Sequence, residues 1–503
     1  MSIDVLIVGG GPVGMTLGAE LARYGVKVRI VHRTSQELRQ EPNKTKPVFL
    51  WSRTLELLDR SGSAAELVAA GQKLTGANIV SDGKSIGHID FTSVNSPHRY
   101  LLTLPQDDTE RFLKQHLNRL GVQVERGSSF ISLSHGGGAL NWTTGLKAVI
   151  GHADGGHEIV EAQWLVGCDG IQSGVRKYME MPLQGGSRES DWAMADVHVS
   201  GIGLNPSEFT TFWHADGVLA IFPIQQGAYR IIADLGKGPG LWPQDPSMDQ
   251  IQALLDQRGP GGLTVSDPLW LSAFRASDKK VRNYQMGRVF LSGDAAYAYS
   301  PMGGQGLNMG MQDAVNLAWK LALVVKGICP EQKLLPSYNV ERSAANAQVT
   351  GTISRLTAAA NVRNQPIQTI RNLLGGALLG LLPTRRVMQD SLAEISGGYA
   401  HSPLNGPEER AFPGPGPGDR MPPVAGEVPA GAGDVPRFAL YADPSPEINA
   451  LLQIHADLLE PKLRAPLSLH CVWLVRPDGY VAAVSLDLDV KLIADYLSDL
   501  KEA

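Results

Sequence analysis

The chain has 503 residues, of which 43% are hydrophobic and 19% are charged, so a disordered or low-complexity protein is excluded. Its 45 basic and 50 acidic residues give a net charge of -5, which argues against nucleic acid as the main partner. The three cysteines, Cys168, Cys329 and Cys471, form neither a CxxC pair nor a ligand cluster, so we expect no disulfide framework, no metal site and a cytoplasmic protein. The sequence contains no run of the ~18 apolar residues that would predict a membrane span.

The N-terminal stretch predicts a parallel βαβ unit. Residues 3–8 (IDVLIV) are apolar and β-branched, which favours a buried strand. The apolar residues from Pro12 to Tyr24 have helical spacing, and residues 27–31 (KVRIV) predict the second strand. Strand, turn, helix and strand within about thirty residues are typical of this unit.

The turn between strand and helix has the sequence GGGPVG. Gly9 permits the tight turn, Gly11 lets a pyrophosphate approach the backbone, and Gly14 lets the helix pack on the strand. The helix N-terminus also offers free N–H groups to phosphates. We therefore expect a dinucleotide to bind at Gly9, Gly11, Pro12, Val13 and Gly14, the alternative being a glycine turn without a ligand.

The end of the second strand departs from the usual pattern. An acidic residue there normally bonds both ribose hydroxyls, but this chain has His32, followed by Arg33. Imidazole can accept one hydrogen bond and cannot hold two hydroxyls as a carboxylate does. Arg33 beside a 2′-phosphate would indicate NADP at this position, whereas the distal motifs favour FAD.

The remaining elements predict an α/β protein with a β-rich insertion. Residues 109–120 have helical spacing, and residues 164–170 and 287–294 predict buried strands that each end near an Asp. Between them, residues 190–235 alternate apolar and polar side chains, which is typical of an antiparallel sheet. Further segments are a helix at about 305–326, helices within 340–396, a Pro- and Gly-rich stretch at 413–433, and a C-terminal hairpin followed by a helix.

A second motif occupies residues 293–321 and begins GDAAYAYSPMGGQGLN. Asp294 at a strand end is placed to bond a chain of sugar-like hydroxyls, and Gly303, Gly304 and Gly306 let the backbone run against a planar ring. The following helix would direct its positive dipole end towards that ring. The alternative is a loop whose glycines serve packing alone.

In combination these motifs resemble the FAD-dependent aromatic hydroxylases of the para-hydroxybenzoate hydroxylase family. The resemblance rests on residues 9–14, on CDGIQSGVRK at 168–177 and on residues 293–308, in family order. RTLELL at 53–58 and LPQDDTERFL at 104–113 also match. The tail, with DRMPP at 419–423 and VRPDGYVA at 475–482, resembles the thioredoxin-like C-terminal domain of phenol and polyketide hydroxylases.

The resemblance implies a Rossmann-type FAD-binding domain interrupted by a β-rich substrate domain, with a thioredoxin-like α/β domain at the C-terminus. We assign residues 1–75, 100–185 and 276–400 to the FAD-binding domain and residues 76–99 and 186–275 to the substrate domain. Residues 401–503 would form the linker and the C-terminal domain. Because the tail has no CxxC, we expect it to support packing or dimerisation in a monomer or homodimer.

The resemblance also implies individual FAD contacts beyond the first glycine turn. They are Gln106, Asp294 and the backbone of Gly304, Gln305, Gly306, Leu307 and Asn308. Asp169 and Arg176 match an Asp-Gly motif that the family ties to both FAD and NAD(P)H, the alternative being a buried carboxylate paired with an arginine.

Three residues depart from the family pattern. His32 replaces a glutamate, Lys46 replaces an arginine near the pyrophosphate, and Tyr297 replaces a histidine. Lysine supplies charge without the bidentate fork of arginine. We therefore expect FAD to bind less tightly than is typical of the family.

The implied activity is monooxygenation. NAD(P)H would reduce FAD, the reduced flavin would add O2 at C4a, and the hydroperoxide would oxidise a phenolic or polycyclic aromatic substrate. Pro301 would lie beside the ring, and His214 or Tyr229 would polarise a substrate hydroxyl. Phe212, Trp213 and Phe222 would line the pocket or belong to the sheet core. Epoxidation, Baeyer–Villiger insertion, a non-oxygenating flavin reductase and a flavin-bound binding protein remain open alternatives.

Overall fold

The computed structural model describes residues 3–35, 47–134, 145–201, 203–225, 227–238, 244–298, 304–360, 382–406, 414–424, 426–486 and 489–502. The strands are β1 (Ile3–Val8), β2 (Val28–His32), β3 (Pro47–Leu50), β4 (Gln72–Leu74), β5 (Gly76–Ser81), β6 (Lys84–Asp90), β7 (Leu101–Pro105), β8 (Val124–Arg126), β9 (Ser128–Leu133), β10 (Leu146–His152), β11 (His157–Gly167), β12 (Gln184–Ser200), β13 (Glu208–His214), β14 (Gly217–Gln225), β15 (Ala228–Gly236), β16 (Thr264–Lys280), β17 (Gln285–Met286), β18 (Val289–Leu291), β19 (Tyr297–Ala298), β20 (Ala439–Tyr441), β21 (Val472–Val475) and β22 (Val481–Ser485). The helices are α1 (Pro12–Arg23), α2 (Ser52–Ser61), α3 (Ala64–Ala70), α4 (Gln106–Arg119), α5 (Gly174–Tyr178), α6 (Met248–Arg258), α7 (Gln305–Val325), α8 (Glu331–Leu334), α9 (Pro336–Ala360), α10 (Leu382–Leu392), α11 (Pro446–Ile454) and α12 (Val490–Asp499).

The first sheet carries the glycine turn at the carboxyl edge of its parallel strands. Strands β18, β11, β1, β2 and β8 run parallel in that order, and β10 and β9 continue antiparallel from β11. Leu6 and Ile7 of β1 are fully buried, as expected for a parallel strand covered on both faces. Helix α1 packs against α7, where a Cβ on Gly310 would lie 2.7 Å from Val13 Cγ2. The predicted α/β framework is thereby confirmed.

The second sheet is the predicted β-rich insertion. Its order is β19-β16-β12-β15-β14-β13-β5-β6, and its pairs are antiparallel except for the parallel pair β13–β5. Side chains alternate between its two faces, which bury different partners. Met194 and Ile232 pack in a cluster with Phe49 of β3, whereas Ala195 and Ile231 pack with apolar residues of α6. One face therefore meets the first domain and the other is covered by α6.

The C-terminal segment forms a three-stranded antiparallel sheet, β20-β21-β22, with α11 and α12 beside it. The closer likeness to thioredoxin stays a prediction. None of the described helices is long and apolar enough to cross a bilayer.

A buried ionic cluster joins this segment to the first domain. Arg476 donates to both carboxylate oxygens of Glu341 at 2.6 and 2.9 Å, and Lys320 Nζ donates to Glu341 Oε2 at 2.6 Å. Asp478 accepts from Arg476 at 3.0 Å and from Trp319 Nε1 at 3.1 Å. Each of these five residues is at most 2% exposed. Their charges have no access to water and depend on one another.

We predict that Arg476→Leu destabilises the protein by about 3–5 kcal/mol, because Glu341 and Asp478 would lose their shared cation in a buried environment. The free energy of unfolding from a urea titration measures this change. Lys491→Ala is the control, since Lys491 forms an exposed ion pair with Asp495 and such pairs contribute ~0–1 kcal/mol. Equal effects of the two substitutions would contradict the prediction.

Candidate active site

Three of the four glycines of the first turn have different surroundings. Gly9 has φ +115°, and a Cβ there would lie 2.2 Å from Cys168 O, while a Cβ on Gly14 would lie 1.9 Å from Gly9 O. A Cβ on Gly11 would meet no atom of the described residues within 4 Å. Gly9 and Gly14 are therefore required by the fold, and Gly11 borders open space. That space fits the close backbone approach of a pyrophosphate.

The N-terminus of α1 faces the same space. Gly11 is its N-cap, so no side chain caps the helix, and its first turn contains no acidic residue. Pro12 occupies the first helical position, which suits a residue without an N–H. The backbone N–H groups of Val13 and Gly14 and the positive end of the helix dipole can therefore serve an anion.

His32 is held by the glycine turn. The Gly10 N–H donates to His32 Nδ1 at 3.0 Å, which assigns the proton of the neutral ring to Nε2. The glycine turn thus uses Nδ1 as an acceptor, so Nδ1 cannot also accept from a ribose hydroxyl as the sequence suggested. Arg33 follows and is exposed.

The second motif is fixed by one buried carboxylate. Asp313 on α7 is fully buried and accepts from Gly293 N at 3.0 Å and from Tyr297 OH at 2.7 Å. Arg342 Nε donates to its other oxygen at 2.6 Å. The turn that carries Asp294 is thereby attached to α7, and Tyr297 acts as a structural anchor in place of the histidine usual in the resembling family.

The start of α7 is fixed to β3. Asn308 donates to Phe49 O at 2.7 Å and accepts from Trp51 N at 2.9 Å, and it is fully buried. Gly304, the N-cap, has φ +62°, and a Cβ there would lie 2.3 Å from Phe49 Cδ2. The side chain of Asn308 thus positions the helix, and only its backbone remains for the predicted cofactor contact.

A cavity of about 480 Å³ lies between the two sheets. It is lined on one side by Asp294 and residues 304–307, and on the other by residues 274–277 and Lys279 of β16. Gln305 is only 5% exposed, and its Oε1 has no hydrogen-bond partner among the residues that the structure describes. A buried orphan acceptor beside a cavity is a feature that a bound group with donors would explain. The predicted residues Asp294, Gly304, Gln305, Gly306 and Leu307 are thus brought together at one site.

Asp169 and Arg176 hold the Asp-Gly turn together without a direct hydrogen bond. Asp169 Oδ2 accepts from Gly174 N at 2.7 Å and from Val175 N at 3.2 Å, while its Oδ1 is buried with no partner in the described ranges of the chain. Arg176 donates to Ala295 O at 2.9 Å, which ties this turn to the second motif. Gln106, at the start of α4, donates to Glu110 at 2.8 Å.

The catalytic side chains predicted from the sequence, His214 and Tyr229, lie in the second sheet away from the cavity. His214 lies in the hairpin between β13 and β14 and accepts from Asp216 N at 3.2 Å. Tyr229 packs with the apolar cluster beneath α6, on the sheet face opposite Phe49. The structure therefore does not bring either side chain to the cavity. Lys46, Pro301 and Gly303 lie outside the described residues.

The aromatic residues between the sheets form a continuous stack. Phe222 lies 4.6 Å from Phe49 and 4.6 Å from Phe209 between ring centroids. Phe212 belongs to the opposite face, beneath α6, and Trp213 packs against the cluster that contains Phe222. The substrate domain thus presents aromatic surface towards the first domain.

Two buried polar pairs were missed by the sequence analysis. Arg230 donates to both oxygens of Asp196 at 2.8 Å, with the residues 4% and 1% exposed. Glu394, 4% exposed and at φ +58°, accepts from Gln312 Nε2 and leaves Oε1 without a partner. The sequence signal for the first pair was one charged residue within an apolar run of each strand, WAMADV at 192–197 and YRIIA at 229–233.

Comparison with known proteins places this site in a family. The family described as FAD binding domain matches residues 2–352. An uncharacterised aromatic compound monooxygenase of Bacillus subtilis is 30% identical over 96% of this chain and 94% of the relative. A 6-methylpretetramide 4-monooxygenase of Streptomyces rimosus is 33% identical over 80% of this chain and 71% of the relative. The structure of an anhydrotetracycline hydroxylase from Streptomyces rimosus has a TM-score of 0.77 and 26% identity, covering 100% of this chain and 99% of that one.

We predict that Gly11→Ala weakens FAD binding about tenfold, or ~1.4 kcal/mol, because its Cβ would occupy the space beside the pyrophosphate. The fold should tolerate the change, since Gly11 has φ -81°. Gly9→Ala should instead lower the stability of the apoprotein. Fluorescence titration with FAD and thermal unfolding separate the two effects, and unchanged FAD affinity in Gly11→Ala would contradict the assignment.

We predict that His32→Glu tightens FAD binding, because a carboxylate accepts from both ribose hydroxyls. His32→Gln is the control, since it keeps polarity without the charge. The prediction would be contradicted if the unchanged protein bound FAD with a submicromolar dissociation constant and His32→Glu left that constant unchanged.

Protein stability should depend on pH through Glu394. Burial raises the pKa of Glu394 from its ordinary 4.5 to about 8. The folded state therefore holds a proton that the unfolded state releases between these values, so this residue makes stability fall as pH rises from about 4.5 to about 8. Each pKa unit corresponds to ~1.4 kcal/mol.

Glu394→Gln should remove this part of the pH dependence and raise the melting temperature relative to the unchanged protein at about pH 9 but not at about pH 5. Glu66→Gln is the control, because Glu66 pairs with Arg119 at the surface. If Glu394→Gln changes the melting temperature by the same amount at both pH values, the prediction is wrong.

Proposed function

The chain belongs to the FAD binding domain family and is an FAD-dependent monooxygenase of the aromatic hydroxylase type, and on that premise we propose that it uses NAD(P)H and O2 to hydroxylate a phenolic or polycyclic aromatic substrate. The observation that carries this proposal is the cavity between the two sheets, because the second motif lines one wall and the substrate domain the other.

The residues present fit FAD. The turn at Gly9, Gly11 and Gly14 would hold the pyrophosphate, and Asp294 would bond the ribityl hydroxyls. The N-terminus of α7 would place its positive dipole end near the ring, where negative charge is favoured. When bound, FAD supplies electron transfer from the nicotinamide and the activation of oxygen.

The chain itself would provide orientation and a dry surface. The rings of Phe49, Phe222 and Phe209 are at most 7% exposed and form an apolar wall behind the start of α7, while Phe274 and Leu307 line the cavity itself. Such a wall keeps water from a reactive oxygen species and supports a flat aromatic substrate. Two of the relatives are named for pretetramide and anhydrotetracycline compounds, which supports a polycyclic substrate.

The test is a screen of naphthols, hydroxyanthraquinones and simple phenols for stimulated NADPH and NADH oxidation by the FAD-loaded protein. We expect at least one compound to accelerate the oxidation and to gain one oxygen atom, labelled when the reaction runs under 18O2. Reduction of the compound without a gain of oxygen would favour a reductase instead. Label in a lactone or an epoxide would favour the corresponding oxygen insertion.

A further inference from the structure

A second, smaller cavity lies where the C-terminal segment meets α2. Its lining consists of Arg60 of α2, residues 421–424 and 427–430, Tyr441 of β20, Arg464 and Gly479. It shares no lining residue with the cavity beside Asp294. The centre of a water-sized sphere can move through about 10 Å³ inside it. A space of this size accommodates a single small ion or one water molecule.

Arg60 is a buried cation on the wall of this cavity. It is 4% exposed, and its guanidinium donates to Ala430 O at 2.8 Å and to Glu56 O at 3.0 Å. Both acceptors are backbone carbonyls, which orient the guanidinium without neutralising its charge. The Nη2 atom packs against Gly479 and donates to no acceptor among the described residues. Buried arginines are normally paired with an anion, and Arg60 forms no ion pair within the described part of the chain.

The surroundings of Arg60 contain more buried positive than negative charge. Arg53 donates to the Glu56 carboxylate at 3.1 Å, and Arg420 donates to it at 2.9 and 2.5 Å. Because Arg53, Arg60 and Arg420 are each at most 9% exposed, three buried arginines lie close to one buried carboxylate. Burial and then the charge of Arg53 lower the pKa of Arg60 from 12.5 to about 10. An anion in the cavity would offset both effects.

Tyr441 adds a second donor to the same cavity. It is 6% exposed, and its hydroxyl makes no hydrogen bond to a described residue. Burial raises the pKa of Tyr441, so the hydroxyl keeps its proton and can donate it. The other charged groups on the lining differ from Arg60, since Arg464 is paired with Glu460 at 2.7 Å and Glu427 is exposed. A buried donor without an acceptor is costly, and a bound acceptor would remove that cost for both groups.

We propose that this cavity binds a chloride ion, held by the guanidinium of Arg60 and the hydroxyl of Tyr441. A halide is a spherical acceptor that fits a space of one atom, whereas phosphate, sulfate and carboxylates are too large for it. Arg60 belongs to the first domain and Tyr441 to the C-terminal segment, so the ion bridges the two parts of the chain. An ion that binds only where both parts are in contact stabilises that contact. The site is independent of the proposed function.

The first experiment compares thermal unfolding of the FAD-loaded protein in sodium chloride and in sodium gluconate at equal ionic strength. Gluconate is too large for the cavity and controls for screening. The melting temperature should be about 2 °C higher in chloride, because the ion binds the folded state alone. Tyr441→Phe removes one donor and keeps the ring, and it should abolish the difference between the two salts. Arg60→Met should also abolish it.

Tyr496→Phe is the matched control. Tyr496 lies in the same C-terminal segment, but its hydroxyl donates to Leu404 O at 2.7 Å and does not line the cavity. Its loss should lower the melting temperature equally in both salts and leave the difference between them unchanged. The use of FAD-loaded protein keeps the anion-binding end of α1 occupied, and a chloride bound anywhere but this cavity would still stabilise Tyr441→Phe.

The second experiment locates the ion. Crystals of the FAD-loaded protein grown in sodium bromide should show an anomalous scattering peak in the cavity, in contact with Arg60 and Tyr441. The proposal is overturned if the cavity shows no such peak, if the unchanged protein melts equally in both salts, or if Tyr441→Phe keeps the chloride effect. Should Arg60→Met not fold, Tyr441→Phe and the bromide peak still decide the question.

Discussion

Helix α7 is held in place by a row of buried polar side chains, and the rest of the architecture depends on their hydrogen bonds. Gln305, Asn308, Gln312, Asn316 and Lys320 follow one another at helical spacing, and each is at most 5% exposed. Asn308 bonds to β3, and Gln312 bonds to α2 and to Glu394. Asn316 and Lys320 both bond to Glu341 on α9, and Asn316 also bonds to the turn at Asp478. Leaving any of these groups unpaired would cost about 1–3 kcal/mol, so the helix has one position.

This fixed position connects the two ends of the helix. At its start, Gly304 and Asn308 set the distance to Phe49, and Asp313 holds the turn with Asp294. At its far end, Lys320 enters the ionic cluster with the C-terminal segment. The aromatic residues beside the start of α7 and the interface with the tail are therefore both attached to one helix. Gln305, the first residue of the row, has an oxygen beside the cavity with no hydrogen-bond partner in the described part of the chain.

The sequence predicted those features whose physical requirement is local. The glycine turn and the second motif could be identified because the positive φ at Gly9 and Gly304 is a local requirement of the adjoining strand or helix, whereas the close contacts of these glycines with Cys168 and Phe49 are distant in sequence. Alternation identified the second sheet, but it separates two faces without showing which one meets the first domain, and Tyr229 was placed at the site for that reason. Glu394 could not be found, since its partner Gln312 lies 82 residues away and no local pattern joins them.

The C-terminal turn shows how closely the tail is fitted to the rest of the chain. Gly479 has φ +78°, and a Cβ there would displace the Arg60 guanidinium, which would lie 1.9 Å from it. Arg53 donates to Asp478 O at 2.8 Å. A tail taken from a relative would therefore fit this chain only if its contact residues matched those of α2, α7 and α9.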